Sequence, residues 1–270
     1  MKNSIHQSRI RPQDSLFIKR VLAHHKKHGR HDLVWRKKIT PYKILVSEIM
    51  LQQTQVSRVK EKFILWMKTY PTLTSLSRGD LREVLILWQG LGYQRRVKAL
   101  YDIAKKEKQV PVSFEKLLEL PGVGTYTASA VCAFAYNTFA HPLLETNIRT
   151  ALIETFHKRE TSVSDEELFH DLARLEKNPA VKKVGARTWY YALMDFGAYL
   201  KANKISHNTK VKGNRKQSPY KGSLRELRAK TLFAITHKQK LPEDVRLEKV
   251  VDALIRERYI EKRGRTYQIT

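Results

Sequence analysis

Cysteine is almost missing from this sequence: Cys132 is the single one in 270 residues. No disulfide and no cysteine-ligated metal can therefore form within one chain, and the setting of Cys132 in the apolar run "ASAVCAFAY" predicts a buried, inert thiol rather than a nucleophile. Acid is scarce as well. Twenty-six Asp and Glu stand against 52 Lys and Arg, a formal charge of +26, which favours a polyanionic partner, nucleic acid ahead of an acidic membrane surface. No apolar run approaches the roughly 20 residues that a spanning helix needs. The opening "MKNSIHQSRIRPQD" lacks the apolar core of a signal peptide, so the expectation is a cytoplasmic, nucleoid-associated protein with no membrane partner. Regular period-two alternation is nearly absent before residue 258, which leaves little room for strands.

What is present is helical spacing. Apolar residues recur at it in Leu16, Phe17, Val21 and Leu22, in Val59, Phe63 and Trp66, in Val84, Leu85 and Trp88, and in Val97, Leu100 and Ile103. Punctuation agrees: Asp80 can cap "DLREVLILW", Ser164 and Glu167 form a capping box, and Pro71 and Gly90 close their helices. A hydrophobic content of 41% supports a real core. The architecture expected is mostly α.

Some stretches carry more than fold. In "PYKILVSEIMLQQTQV" the apolar residues surround the helical cylinder, the mark of a helix buried within the body, so Glu48 is expected to be at least partly buried. Burial disfavours its ionised form and would fit it to donate a proton near neutral pH; a structural carboxylate paired with an arginine would leave the same pattern. In "SFEKLLELPGVGTYTASAVCAFAY" a Pro-Gly-Val-Gly turn joins two helices. Gly122, Val123 and Gly124 allow a tight hairpin whose backbone N–H groups, with Thr127 in the following helix, can approach a phosphate, although a plain helical hairpin has a similar outline. In "HPLLETNIRT" the carboxylate of Glu145 follows an apolar pair and precedes Asn147.

The chain's end has a different character. From Lys201 to Ser223 there are seven Lys and Arg and no acid, which reads either as a solvated linker or as a loop lying beside DNA. The domains expected are 1–200, a linker or loop over 201–222, and a small unit over 223–270. Ser223 with Glu226 offers a capping box, and a second helix leads to a hairpin around Arg263-Gly264. Helix, helix and basic hairpin suggest a winged-helix-like unit whose Arg256, Arg258, Lys262, Arg263 and Arg265 are candidates for phosphates.

Together "DLVWRKKITPYKILVSEIMLQQTQV", "LWQGLGYQRR", "LPGVGTYTA", "ETNIRT" and "ALMDFGAYL" resemble the helix-hairpin-helix superfamily of base-excision DNA glycosylases. Within it they resemble the MutY-like adenine glycosylases, over about residues 28–200. The resemblance implies the helix-hairpin-helix glycosylase fold, two helical subdomains with a cleft between them, acting on double-stranded DNA with a mismatched or damaged pair. It assigns Glu48 to protonating the departing adenine and Glu145 to facing the sugar, where a fixed carboxylate opposes the oxocarbenium charge of the transition state. Gln53 and Tyr93 match intercalating positions; Trp35, Arg36 and Leu51 match positions near the extruded base. Bifunctional relatives carry a Schiff-base lysine where this chain has Tyr126, which implies base release without strand scission. Tyr126 and Asn147 would then orient Glu145, the sugar or the attacking water.

The chain departs from that family pattern in several places. Glu145 stands for an aspartate. Lys201 occupies the start of the four-cysteine iron-sulfur loop, so no cluster, no metal and no other cofactor is expected. Tyr191 replaces the usual Gln or Glu that contacts adenine, while Asp195, a turn on, suits a structural helix partner. The large domain that reads 8-oxoguanine does not fit into the remaining residues. The expectation is a monomeric, monofunctional glycosylase of adenine opposite 8-oxoguanine or guanine. Two alternatives stand: a thymine or uracil mismatch glycosylase of the same fold, and a catalytically silent DNA-binding protein.

Overall fold

The computed structural model describes residues 11–207, 210, 219–264 and 266–270. Parts of the basic segment expected at 201–222, namely 208–209 and 211–218, lie outside the described residues, as does Arg265. Helices dominate: α1 (Pro12–His28), α2 (Pro41–Leu51), α3 (Val56–Thr69), α4 (Leu73–Ser77), α5 (Leu81–Trp88), α6 (Gln94–Lys106), α7 (Phe114–Leu118), α8 (Thr125–Phe134), α9 (Thr146–Phe156), α10 (Asp165–Glu176), α11 (Pro179–Ala202), α12 (Leu224–Thr236) and α13 (Leu247–Arg256). A short antiparallel hairpin, β1 (Ile260–Arg263) and β2 (Thr266–Ile269), follows. Among the described residues no helix is long and apolar enough to cross a membrane.

The chain divides into two units. One comprises Met1–Pro41, Val112–Lys116 and Gly124–Arg215, the other Tyr42–Pro111, Leu117–Val123 and Lys216–Thr270. Lys216–Thr270 thus falls in one unit with Tyr42–Pro111, and α12 packs on α5 as well as on α13 and β2.

In the first unit α11 is the axis, packed against α1, α8, α9 and α10. It kinks at Gly185, where φ is +80 and a Cβ would lie 2.7 Å from the Asn137 amide. Arg187, just past the kink, donates to the carbonyls of Phe134 (2.6 Å) and Ala135 (2.8 Å), partners for the otherwise unmatched carbonyls that end α8. Further along, Gly197 lets α11 meet the start of α9: a Cβ there would sit 1.9 Å from the Asn147 carbonyl oxygen. Ser164 and Glu167 form the expected capping box at α10.

In the second unit α2 is the buried element, with Ile44, Leu45 and Val46 fully inside, and Trp66 meets Trp88 edge-on at 5.7 Å. Asp80 caps α5 as expected, accepting from the Glu83 N–H. The expected box at α12 is only half formed. Ser223 accepts from the Glu226 N–H, but the Glu226 carboxylate takes the Gly222 N–H and Lys230 instead. Arg82 Nε donates to the Thr236 carbonyl at 2.7 Å, and Arg95 and Arg228 share Glu257 at 2.7 and 2.6 Å, tying the C-terminal elements to α5 and α6.

Candidate active site

Glu48 sits in the middle of α2 and is buried, 5% exposed, as the apolar pattern around it requires. The helix ends at Leu51, half-buried, and the chain turns sharply so that exposed Gln53 has φ +54. Tyr93, before α6, has φ +47 and is 36% exposed. Both candidate intercalating residues thus occupy left-handed backbone, which is uncommon outside glycine and is held by surrounding structure.

What holds them is Arg96, which sequence reasoning missed. One of its terminal nitrogens donates to the carbonyls of Ile49 (2.9 Å), Met50 (3.1 Å) and Gln52 (2.5 Å); the other donates to those of Leu91 (2.7 Å) and Gly92 (3.1 Å) and to the Thr54 hydroxyl (3.2 Å). A single guanidinium therefore closes the C-terminal end of α2 and both loops, using the planar donor fork that a lysine lacks. Burial pulls its pKa down to about 10. The only sequence signal was an arginine in the first turn of the helix after Tyr93. In the same unit Gly122 has φ +72, a Cβ there would meet the Ala99 side chain at 2.7 Å, and Val123 is buried.

In the first unit the hairpin continues through Gly124 into α8. Gly124 has no side chain to cap the helix, and nothing lies within 4 Å of where its Cβ would be, which leaves room for a phosphate oxygen to approach. Tyr126 is half-buried and Thr127 buried in the first turn.

Glu145 is the N-cap of α9. One carboxylate oxygen accepts the N–H groups of Asn147 (2.8 Å) and Ile148 (2.9 Å), and the other takes the Asn147 side-chain amide at 3.1 Å. Burial raises the pKa of Glu145, opposed by those backbone N–H groups and by the charges of Lys201 and Arg30. Lys201, in the last turn of α11, is half-buried, and burial lowers its own pKa against the pull of Glu145. Neither cation was singled out in the sequence as a partner for Glu145.

Arg36 and Tyr191 meet on one side of this unit. The Arg36 guanidinium lies 4.0 Å from the centre of the Tyr191 ring, whose other face stacks on Phe134 at 4.3 Å. Both faces of the Tyr191 ring are thus covered, which its position in the sequence did not reveal. Arg36 also forms a two-point bridge to Asp195 (2.8 and 3.0 Å), which takes Arg30 and His25 as well. Those donors hold the Asp195 carboxyl well below the usual range despite its burial, which makes it the structural partner expected. Trp35 is buried, 3% exposed, in a short 3-10 turn at Val34–Arg36.

Residues 46–210 match the HhH-GPD superfamily of base excision DNA repair proteins. The chain is 38% identical over 178 residues to the adenine DNA glycosylase of Mycolicibacterium smegmatis, covering 63% of this chain and 59% of that protein. It is 40% identical over 145 residues to that of Mycobacterium tuberculosis (52% and 47%) and 40% identical over 121 residues to that of Homo sapiens (40% and 22%). The chain thus spans somewhat over half the length of the first of these relatives. In fold it is similar to a thermostable thymine-DNA glycosylase (TM-score 0.59, 22% identity, 73% of this chain and 92% of that one). It is likewise similar to endonuclease III in complex with DNA (TM-score 0.55, 17% identity, 80% and 94%).

Proposed function

Because the chain belongs to the HhH-GPD superfamily of base excision DNA repair proteins, we propose that it is a monofunctional adenine DNA glycosylase, hydrolysing the N-glycosidic bond of an extruded adenine opposite guanine or 8-oxoguanine. The observation that carries this reading is Glu48, a carboxylate buried in α2 within the string "SEIMLQQTQ", together with similarity to adenine DNA glycosylases from several organisms.

In the proposed mechanism Glu48 donates a proton to the adenine ring, which turns the base into a better leaving group. Glu145 stabilises the positive charge that develops on the sugar. Its anchoring by two backbone N–H groups and the Asn147 amide fixes that carboxylate before the charge appears, so little reorganisation accompanies the reaction. The positive charges of Lys201 and Arg30 support its ionised form against burial. Tyr126 offers no amine for a Schiff base, so once the C1′–N bond has broken with its electron pair leaving on the protonated base, water adds to C1′ and loses a proton to solvent, and the product is an abasic site with the strand intact. The iron-sulfur cluster of related enzymes does not fit these residues. Four thiolates are needed, and the one cysteine is buried within α8.

The test is single-turnover base release from duplexes carrying adenine opposite 8-oxoguanine, guanine or thymine, and thymine or uracil opposite guanine, with Glu48→Gln alongside. Adenine release is expected, falling roughly 100-fold or more in the variant, with no strand scission until alkali is added. Release of thymine or uracil alone would move the function to mismatch repair of pyrimidines. Binding with no release from any duplex would make the protein a silent DNA binder.

A further inference from the structure

Helix α11 touches the chain on both sides of Glu145. Past its kink at Gly185 it runs on as one helix, so residues 190 and 197 lie about 10 Å apart along a common axis. At the first of these the Tyr190 hydroxyl accepts the Leu143 N–H at 2.9 Å, two residues before Glu145. At the second, Gly197 lies against the Asn147 carbonyl, two residues after it. Leu143 is fully buried and Tyr190 is 1% exposed, so loss of the hydroxyl would leave a buried N–H unmatched. Tyr190 in turn donates its proton to the carboxylate of Glu176, at the end of α10. That bond fixes the rotation of the hydroxyl and leaves an oxygen lone pair for Leu143. The Tyr190 ring also lies 6.2 Å from that of Phe139, in the same segment between α8 and α9.

We propose that Tyr190, its hydroxyl aimed by Glu176, is a positioning residue for the reaction: it fixes the segment that enters α9 and thereby the place of the Glu145 carboxylate beside the sugar. The inference rests on the reading of Glu145 as the group that opposes the sugar's charge. An N-cap residue has its backbone outside the helix it caps, so the N–H groups of Asn147 and Ile148 hold the Glu145 carboxylate from the α9 side alone. The incoming chain needs a hold of its own, and Leu143 is where α11 supplies one. Lys201, on the same helix, directs its charge toward Glu145. One helix thus registers both flanks of the carboxylate. Placement matters because a fixed charge lowers the barrier only from where it stands as the glycosidic bond stretches.

The experiment compares the full chain as wild type, Tyr190→Phe, Glu176→Ala and Glu176→Gln, each checked for folding by thermal melting. Single-turnover base release at saturating enzyme, from the duplex that wild type processes fastest, is measured alongside affinity for a duplex carrying a tetrahydrofuran abasic analogue. Tyr190→Phe and Glu176→Ala are expected to slow release roughly 10- to 100-fold while affinity stays within about twofold. Glu176→Ala, at a half-buried side chain, carries the test if Tyr190→Phe melts early. Glu176→Gln, whose amide oxygen still accepts the Tyr190 proton, is expected to release base within about threefold of the wild-type rate. Tyr190→Phe placed in Glu145→Gln is expected to slow release no further, as for residues that act through one another. Equal slowing in both backgrounds would overturn the proposal and leave Tyr190 a core residue. Where Glu145→Gln releases too little to time, amide hydrogen exchange decides. Tyr190→Phe should raise it over residues 143–148 with α10 and α11 still protected, and unchanged exchange there would overturn the proposal. So would wild-type speed in folded Tyr190→Phe when Glu145→Gln is slow. Wild-type speed in Glu145→Gln, or no release by wild type from any duplex, would instead overturn the reading of Glu145 on which the role depends.

Discussion

Glu145 and Glu176 show how much depends on where a carboxylate finds its hydrogen bonds. Glu145 is placed by backbone N–H groups, whereas Glu176 accepts from the buried Tyr190 hydroxyl and burial pushes its pKa up to about 7. The folded state therefore holds the Glu176 proton more tightly than the unfolded chain does. Its stabilising contribution is fully present below about pH 4.5 and is lost as pH rises through about 7, on the order of 2–3 kcal/mol. Asp195 acts with the opposite sign, its depressed pKa stabilising the fold above its ordinary range and less so in acid. Urea unfolding at a series of pH values should show Glu176→Gln flattening the decline between about pH 4.5 and 7; an unaltered slope would place the proton elsewhere. At this scale the sequence was informative where pattern enforces environment. The all-round apolar α2 implied the burial of Glu48, and Asp80 and Ser164 announced their caps. It was silent on Glu145 as a cap, since glutamate is not a favoured N-cap residue, and on the covered faces of Tyr191, which depend on Phe134 and Arg36 from distant segments.

Among the elements, the join of α11 to α9 and the Arg96 hub bear on the candidate site most directly. Gly197→Ala would drive a methyl into the Asn147 carbonyl at the first turn of α9, and a destabilisation of roughly 1–3 kcal/mol is expected from chemical denaturation. Arg96→Lys keeps the charge but loses the fork. It should cost roughly 2–4 kcal/mol, and amide hydrogen exchange should rise together in residues 52–55 and 91–93; a rise in only one of these loops would show that they are held separately. The helices themselves were legible, because α3, α5 and α6 carry their apolar residues at helical spacing. Arg96 was not, because its acceptors are main-chain carbonyls, identical at every residue and brought near only by the fold.

For the whole molecule, charge and chain order are the governing facts. With +26 in formal charge, DNA binding should weaken steeply with salt, by about a hundredfold between roughly 50 and 200 mM, linear on a double-logarithmic plot. A tenfold smaller loss would mean that few of the basic side chains reach phosphates. The mostly helical class and the helix-hairpin-helix motif were readable from one sequence. The assignment of residues 224–269 to the same unit as residues 42–111 was not, because periodicity reports which face of a helix is apolar and says nothing of the segment that covers it. That return of the chain also has a temporal side. On the ribosome, α5 and α6 emerge well over a hundred residues ahead of α12, so Arg82 and Arg95 must wait without Thr236 and Glu257, their partners. The first unit can consolidate around α11 in the meantime. The second is completed late, by long-range closure, and that interval is when this chain is most exposed to aggregation and to chaperones.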